Sequence, residues 1–304
     1  MALSFTERRT LFGDLSNNSA SATLTLADKL INIEEKRILS SYAWSFLEKQ
    51  YTVLTDSANQ FVTIPQYIDR VSSLYVTVGT YRYSPRECPS REQWDRLNMT
   101  SVSSDIPTWW YVYDGKVGLY PKPSSSSNTI TINSKQSAKD LTVADYTTGS
   151  IVTMVNGSPT VTGTGTTFTA SMVGRWLRIT ETNAANGGDG FWYQILSYTS
   201  ATVITLVRNY AGTAITAGTA SYTISQCSLM PEQYQDLPIY GALRTYFTSV
   251  APDNSKAQLY AGMYQSLLKE MEADYSMKNQ SCVISDGDDY YQSNPNLFIS
   301  NVTG

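Results

Sequence analysis

The stretch that most constrains the fold is residues 105–123, which predicts a β-hairpin. Trp109–Tyr113 is dense in aromatic and β-branched residues, which suit a half-buried pleated surface. Asp114-Gly115 follows, and this pair suits a type I′ turn because both central residues of that turn need positive φ. Lys116–Tyr120 predicts the return strand, which the following prolines end because proline cannot donate to a ladder. Since helical patterns lie far upstream and far downstream, we expect the hairpin to be the centre of a core built from both ends of the chain.

Composition points to a protein whose surface is polar rather than charged. Only 16% of the residues are charged, against roughly 25% in typical soluble domains. The 22 tyrosines are a residue type that is enriched where protein surfaces meet. The net charge of −4 argues against a general electrostatic grip on nucleic acid. The composition therefore favours contact between proteins.

The residue types that catalysis and metal binding most often use are scarce. The absence of histidine removes the usual general base and the commonest metal ligand. Cys88, Cys227 and Cys282 form no C-x-x-C pattern, which predicts free thiols in a reducing compartment. No apolar run approaches ~18 residues, so neither a membrane span nor a secretion signal is expected. We predict no catalytic residue, no cofactor and no metal site, and assembly in a cytoplasm.

Carboxylates are the remaining route to catalysis. A pair of them can hydrolyse sugars, but no spacing singles out a pair among Glu48, Asp56, Glu92 and Asp95. The aspartates of 286–289 lack the spacing and the terminal glutamate of a calcium loop.

Helical periodicity occupies both ends of the chain. Thr25 predicts the cap of a helix that runs to about Trp44, with Glu34 and Glu35 on its solvated side. A short capped helix is predicted over residues 90–97, before the hairpin. Two further helices are predicted after Pro231 and after Pro252. The last of them has one apolar line, for packing in the core or against another subunit, that consists of Leu259, Met263, Leu267 and Met271.

The middle of the chain has a different composition. Residues 146–225 are rich in threonine and glycine and contain short alternating segments, which predict an inserted all-β barrel or sandwich. The predicted fold class is α+β: a discontinuous helical and β-hairpin domain of residues 1–145 and 226–282, the inserted β-domain, and an extended C-terminal arm of residues 283–304. The small sheet of the first domain is expected to take 129–132 as its third strand.

Two motifs carry a resemblance to a known family. The predicted helix closes with Tyr42-Ala43-Trp44-Ser45-Phe46-Leu47, and the hairpin closes with Gly118-Leu119-Tyr120-Pro121-Lys122-Pro123. Together with the two late helices, this order resembles the head-to-tail adaptor proteins of tailed bacteriophages, over about 20–145 and 230–280. The middle block resembles small β-modules of phage structural proteins, in residues 160–169 and 174–179.

The resemblance implies a homo-oligomeric ring, commonly of twelve subunits, in the neck of the virion. Such a ring binds the portal protein and the tail or nozzle proteins, and double-stranded DNA passes through its channel without specific binding. We expect the portal and subunit interface to use Trp109, Trp110, Arg91, Arg96, Tyr290, Tyr291, Leu297, Phe298 and Ile299. Two alternatives stay open: a phage tail or surface protein that binds carbohydrate, and a tail accessory factor with cell-wall hydrolase activity.

Overall fold

The computed structural model describes residues 3–180 and 188–276. They form a mixed α+β structure, which confirms the predicted class. The helices in these ranges are α1 Phe5–Ser16, α2 Ser21–Ser41, α3 Arg91–Leu97, α4 Leu237–Ser249 and α5 Asn254–Tyr275. The strands are β1 Glu48–Leu54, β2 Phe61–Thr63, β3 Ile68–Val78, β4 Tyr81–Tyr83, β5 Arg86–Glu87, β6 Trp109–Tyr113, β7 Lys116–Tyr120, β8 Thr129–Gln136, β9 Ser150–Met154, β10 Thr160–Thr164, β11 Trp176–Ile179, β12 Tyr193–Ser200, β13 Val203–Leu206, β14 Ile215–Ala220 and β15 Tyr222–Ser225.

Four helices from the two ends of the chain pack around two adjoining apolar cores. In the first core, Phe12 of α1 and Ile31 of α2 contact the buried side of α4 and Tyr260 of α5. In the second core, Trp44 and Leu47 pack with residues of α2, α4 and α5. The aromatic motif after α2 therefore anchors that helix, as its sequence predicts.

The start of α2 differs from the prediction. The helix begins at Ser21, and Thr25 lies inside it with its hydroxyl donating to the carbonyl of Ser21. Thr25 as an N-cap is therefore wrong. The physical reason is the turn after α1, in which the Asn18 side chain accepts a hydrogen bond from the Ala20 N–H. The second helix begins directly after this turn, four residues before Thr25.

The two glutamates predicted to face solvent on α2 are buried. Glu35 is 2% exposed, and its carboxylate lies 2.6 Å from the equally buried guanidinium of Arg8. Ser228 donates a 2.6 Å hydrogen bond to the other carboxylate oxygen of Glu35. Glu34 is also 2% exposed and lies 2.7 Å from Arg37 and 3.5 Å from Arg244. The prediction failed because the cationic partners lie on α1, on α4 and on α2 itself, which cover this side of the helix.

The apolar line predicted on α5 is split between core and surface. Tyr260, Tyr264 and Met271 are buried, whereas Leu259 and Met263 are 54% and 42% exposed. Because Tyr260 and Tyr264 pack into the helical cores, the neighbouring residues Leu259 and Met263 face outward. The predicted helix is confirmed; Met271 of the predicted line lies in the core, and Leu259 and Met263 lie on the surface.

The hairpin belongs to a small sheet with the order β2-β7-β6-β5, which packs on a second sheet with the order β1-β8-β3-β4. The core between them contains Trp110, Val117 and Leu119 from the hairpin. The second sheet contributes Ile68, Val71, Leu74, Val76, Ile130 and Ile132. Asp114 and Gly115 both have positive φ, at 50° and 65°, which confirms the predicted turn.

Two expectations about the hairpin are wrong. Its core is made with β3 and β8, so it is not the centre of a core formed by the terminal helices. The predicted third strand, β8, lies in the middle of the facing sheet, between β1 and β3. The reason is that β8 is buried at three consecutive positions, Ile130, Thr131 and Ile132, as suits a central strand covered on both faces.

Residues 150–225 form a seven-stranded antiparallel sheet with the order β14-β9-β10-β13-β12-β11-β15, curled into a half-barrel. Its apolar core draws only on residues of this block, from Ile151 to Ile224, with Tyr146 packed against it. The two ends of the block meet, because Tyr146 and Ile224 exchange backbone hydrogen bonds of 2.8 and 2.9 Å. Adjacent ends allow such a block to leave and rejoin the rest of the chain at one place.

Polar contacts fasten the half-barrel to the start of α1. Asp145 accepts hydrogen bonds of 2.6 Å from the hydroxyls of Ser4 and Ser225. Arg178 of β11 lies 2.6 Å from Glu7, and the Arg178 side chain is only 11% exposed. The neighbours Glu7 and Arg8 thus bind the half-barrel and α2, respectively.

Replacing Glu35 by alanine is expected to lower the free energy of unfolding by about 3–5 kcal/mol, because Arg8 would keep a buried charge without its partner. Urea unfolding followed by far-UV circular dichroism measures the change. The control is Glu92→Ala, which removes an arginine pair of the same 2.6 Å length in which both side chains are more than 70% exposed. That variant should leave the midpoint nearly unchanged, and equal losses in both variants would contradict the argument.

Replacing Gly115 by alanine should destabilise the protein by about 1–2 kcal/mol, because φ is +65° there and a Cβ is unfavourable in that conformation. A Cβ at this position would meet no atom within 4 Å, so only the backbone effect is tested. Gly262 of α5 also has open space around it, and Gly262→Ala should stabilise by up to about 1 kcal/mol. A destabilised Gly262→Ala variant would show that the comparison does not isolate backbone conformation.

Candidate functional site: an exposed aromatic and arginine surface

The two tryptophans of the hairpin point to opposite faces of the strand. Trp110 is 3% exposed and belongs to the core between the two small sheets, whereas Trp109 is half-buried. Strand alternation predicts that one tryptophan packs on the helices and the other faces a neighbour. Trp110 is the buried one, and it packs on strands and not on the helices. Trp110 is therefore a core residue, and Trp109 is the one within reach of a partner.

Helix α3 lies across the face of β6 that carries Trp109, Tyr111 and Tyr113. Ser90 caps α3 by accepting a hydrogen bond from the Gln93 N–H, as the sequence predicts for this short helix. The Trp94 ring stacks on Tyr111 at a centroid distance of 5.6 Å. Beside it, the guanidinium of Arg91 lies 4.4 Å from the centre of the Tyr113 ring. Buried rings thus hold α3 in place, while Arg91 and Tyr113 stay accessible.

Exposed apolar side chains are also frequent in the stretch of chain that contains this helix. Of the 18 large hydrophobic residues that are exposed in the described ranges, six lie between residues 81 and 113. A shallow pocket of about 350 Å³ is lined by other residues of the same stretch, among them Tyr83, Arg86 and Trp109. We use the name "aromatic surface" for Tyr81, Tyr83, Arg86, Arg91, Trp109 and Tyr113. Tyrosine, tryptophan and arginine are the residue types that dominate protein–protein contacts.

Two arginine–carboxylate pairs form within α3. Arg91 binds Asp95 at 2.9 Å and Arg96 binds Glu92 at 2.6 Å, both at i,i+4 spacing on the exposed side of the helix. Each pair uses only some of the five N–H donors of its guanidinium, so both arginines keep donors for other contacts.

Five of the predicted interface residues cannot be placed. They lie with Cys282 and the predicted arm outside the described residues: Tyr290, Tyr291, Leu297, Phe298 and Ile299.

A second feature, which the sequence did not predict, is a central cleft of about 830 Å³. It is lined by β1, by the half-barrel and by the segment that leads from β15 to α4. Its aromatic residues are Phe46, Tyr67, Trp176 and Trp192. Sequence reasoning missed the cleft because its lining comes from stretches as far apart as Glu35 and Gln235, and no single stretch carries a recognisable pattern.

The carboxylates considered for hydrolysis do not share one pocket. Glu48 lines the central cleft, Asp56 lines a separate pocket, and Glu92 and Asp95 are paired on α3. A hydrogen bond from Asn59 holds the pKa of Asp56 below its usual range, which favours the ionised form and not a general acid.

Cysteine reactivity is low at the cleft. Burial, with the Asp145 charge adding to it, raises the pKa of the Cys227 thiol well above its usual range. The thiol therefore stays protonated at neutral pH, which makes it a poor nucleophile.

Within residues 3–180 and 188–276, no group of three or more His, Cys, Asp or Glu side chains is arranged to hold a metal ion. No helix in these ranges is long and apolar enough to cross a bilayer. No protein-family model matches the chain, and no curated protein matches it significantly.

Replacing Trp110 by alanine should cost about 3–5 kcal/mol of unfolding free energy, because a large buried ring leaves a cavity. Trp109→Ala should cost far less, since the Trp109 ring is only half-buried. Denaturant titrations of the two variants under the same conditions measure the difference. A larger loss for Trp109→Ala would contradict this assignment of core and surface.

Proposed function

We propose that this protein is a structural virion protein of a tailed bacteriophage, which forms a ring that joins the portal to the tail and continues the DNA channel. The observation that carries the proposal is the aromatic surface, where the apolar and arginine side chains suited to a protein partner concentrate. The order of helices and motifs resembles that of head-to-tail adaptors. This resemblance supports the portal and tail proteins as the partners.

A ring of identical subunits needs two different patches on each subunit, because its contacts are head to tail. The aromatic surface is one candidate patch. The exposed side of α5, with Leu259 and Met263, is the other. The two patches belong to different parts of the chain, one beside the core of the paired small sheets and one beside the core of the helices.

The charge of the chain suits a channel wall. Passing DNA needs a weakly interacting surface, and a chain of net charge −4 does not attract a polyanion. Tight DNA binding by the purified protein at physiological salt would contradict this part of the proposal.

The proposal is tested by particle mass, alone and with the portal protein. A ring of twelve 33.7 kDa chains has a mass of about 400 kDa, which sedimentation velocity separates from a monomer. The double variant Leu259→Glu with Met263→Glu should reduce the ring to smaller species, because it places charges in the subunit contact. Val155→Glu, at a position of the half-barrel that is also 42% exposed, is the control and should leave the ring intact.

A monomer under all conditions, with and without portal, would overturn the proposal. Loss of the ring in the control as well would show that added charge, and not this patch, disperses the subunits.

Carbohydrate binding by a tail or surface protein is the second candidate. Exposed apolar side chains on the half-barrel favour it, since Phe191, Leu196 and Tyr198 are 61%, 55% and 39% exposed and aromatic rings can stack on sugars. Binding of the whole protein to host surface glycans, lost in Phe191→Ala, would support this function over the ring.

A further inference from the structure

The central cleft combines aromatic walls with an excess of unpaired positive charge. Four cationic side chains line it: Lys49, Lys139, Arg175 and Arg208. Three carboxylates, Glu35, Glu48 and Glu232, also line it. Glu35 is already neutralised by Arg8 at 2.6 Å. Among the side chains that the structure describes, no carboxylate lies within ion-pair distance of Lys139, Arg175 or Arg208. The cleft therefore suits an acidic ligand with aromatic or apolar groups.

The described chain ends at the wall of this cleft. The ring of Tyr275, the last residue of α5, lies 5.5 Å from the ring of Phe46, which lines the cleft. On its other side Tyr275 contacts Tyr234 at 6.0 Å, three residues after the lining residue Pro231. The backbone of Ser276 pairs with that of Trp44. Residues 277–304 therefore start beside the cleft.

The chemistry of these 28 residues matches the lining. They contain three aspartates within 286–289 and one lysine, Lys278, so their net charge is −2. Tyr290 and Tyr291 follow the aspartates directly, and 297–299 is an apolar run of leucine, phenylalanine and isoleucine. An extended chain spans about 3.3 Å per residue, so a segment of ten to fifteen residues that starts at Ser276 can reach about 33–50 Å.

We propose that residues 277–304 bind in the central cleft of their own chain, with the aspartates of 286–289 against Arg175 and Arg208 and the two tyrosines against the aromatic wall. The same chain is the occupant because covalent attachment beside the cleft gives an effective concentration in the millimolar range, far above that of a second copy in dilute solution. This inference goes beyond the proposed ring and does not depend on it. If the portal protein binds residues 277–304 in the assembled ring, it has to displace them from the cleft.

The test uses the full chain with Tyr290→p-benzoylphenylalanine, which keeps an aromatic side chain and forms a covalent bond to its neighbours on irradiation. Dilute protein is irradiated, and the linked peptides are identified by mass spectrometry. We expect links to cleft-lining residues, in particular Trp176, Arg175 and Gln194. An equal mixture of ¹⁴N- and ¹⁵N-labelled protein should give links within one isotope only.

Charge reversal tests the electrostatic part. Arg175→Glu with Arg208→Glu should lower the yield of these links by at least about fivefold, because two attractive charges become repulsive. The matched control, Arg82→Glu with Arg96→Glu, makes the same charge change at two exposed arginines outside the cleft and should leave the yield unchanged. Raising the salt to 1 M, which shortens the screening length to about 3 Å, should lower the yield in the protein without charge reversal. The salt dependence tests the electrostatic attraction even if the charge-reversed variant misfolds.

Links outside the cleft, or a yield that neither charge reversal nor salt changes, would overturn the proposal. Links that mix the two isotopes would show that a second copy supplies the segment and would overturn the assignment to the same chain. Because the measurement is made on dilute protein without portal, its failure leaves the ring proposal standing, and failure to form a ring leaves this one standing.

Discussion

The buried pair of Arg8 and Glu35 joins three distant parts of the chain. Arg8 lies on α1, Glu35 on α2, and Ser228, which completes the pair, on the segment that returns from the half-barrel. Two buried charges are costly unless each has its partner and its hydrogen bonds. The helical region can therefore close only when α1, α2 and the returning segment are all in place. Since Glu7 holds Arg178 of the half-barrel, this one turn of α1 also positions the inserted block.

This arrangement leaves several apolar and arginine side chains on the surface of the protein. The helices bury their aromatic residues in two cores, and the two small sheets bury Trp110 between them. Of the large apolar side chains that are exposed in the described ranges, six lie between residues 81 and 113, six on the half-barrel and two on α5. Tyrosine and arginine are residue types enriched in protein contacts, and the aromatic surface carries both.

The cleft is a consequence of the same architecture. The half-barrel leaves and rejoins the chain at Tyr146 and Ile224, and it is fastened at Asp145 and Glu7. The side of the half-barrel that carries Arg175 and Trp176 then faces β1 and the segment before α4, and the space between them is the cleft. The end of α5 closes one wall of this space through Tyr275 and Phe46.

The sequence by itself determined the local elements: the hairpin turn at Asp114-Gly115, the cap of α3 at Ser90, the strand-rich block after residue 145 and the late helices. These follow from interactions within a few residues, such as positive φ, capping and alternation. Only the tertiary structure decided that Glu34 and Glu35 are buried, that β8 pairs with β1 and β3, that Trp110 and not Trp109 is in the core, and that a cleft exists. Each of these depends on a partner tens to hundreds of residues away, and local periodicity carries no information about which distant surface covers a given side chain.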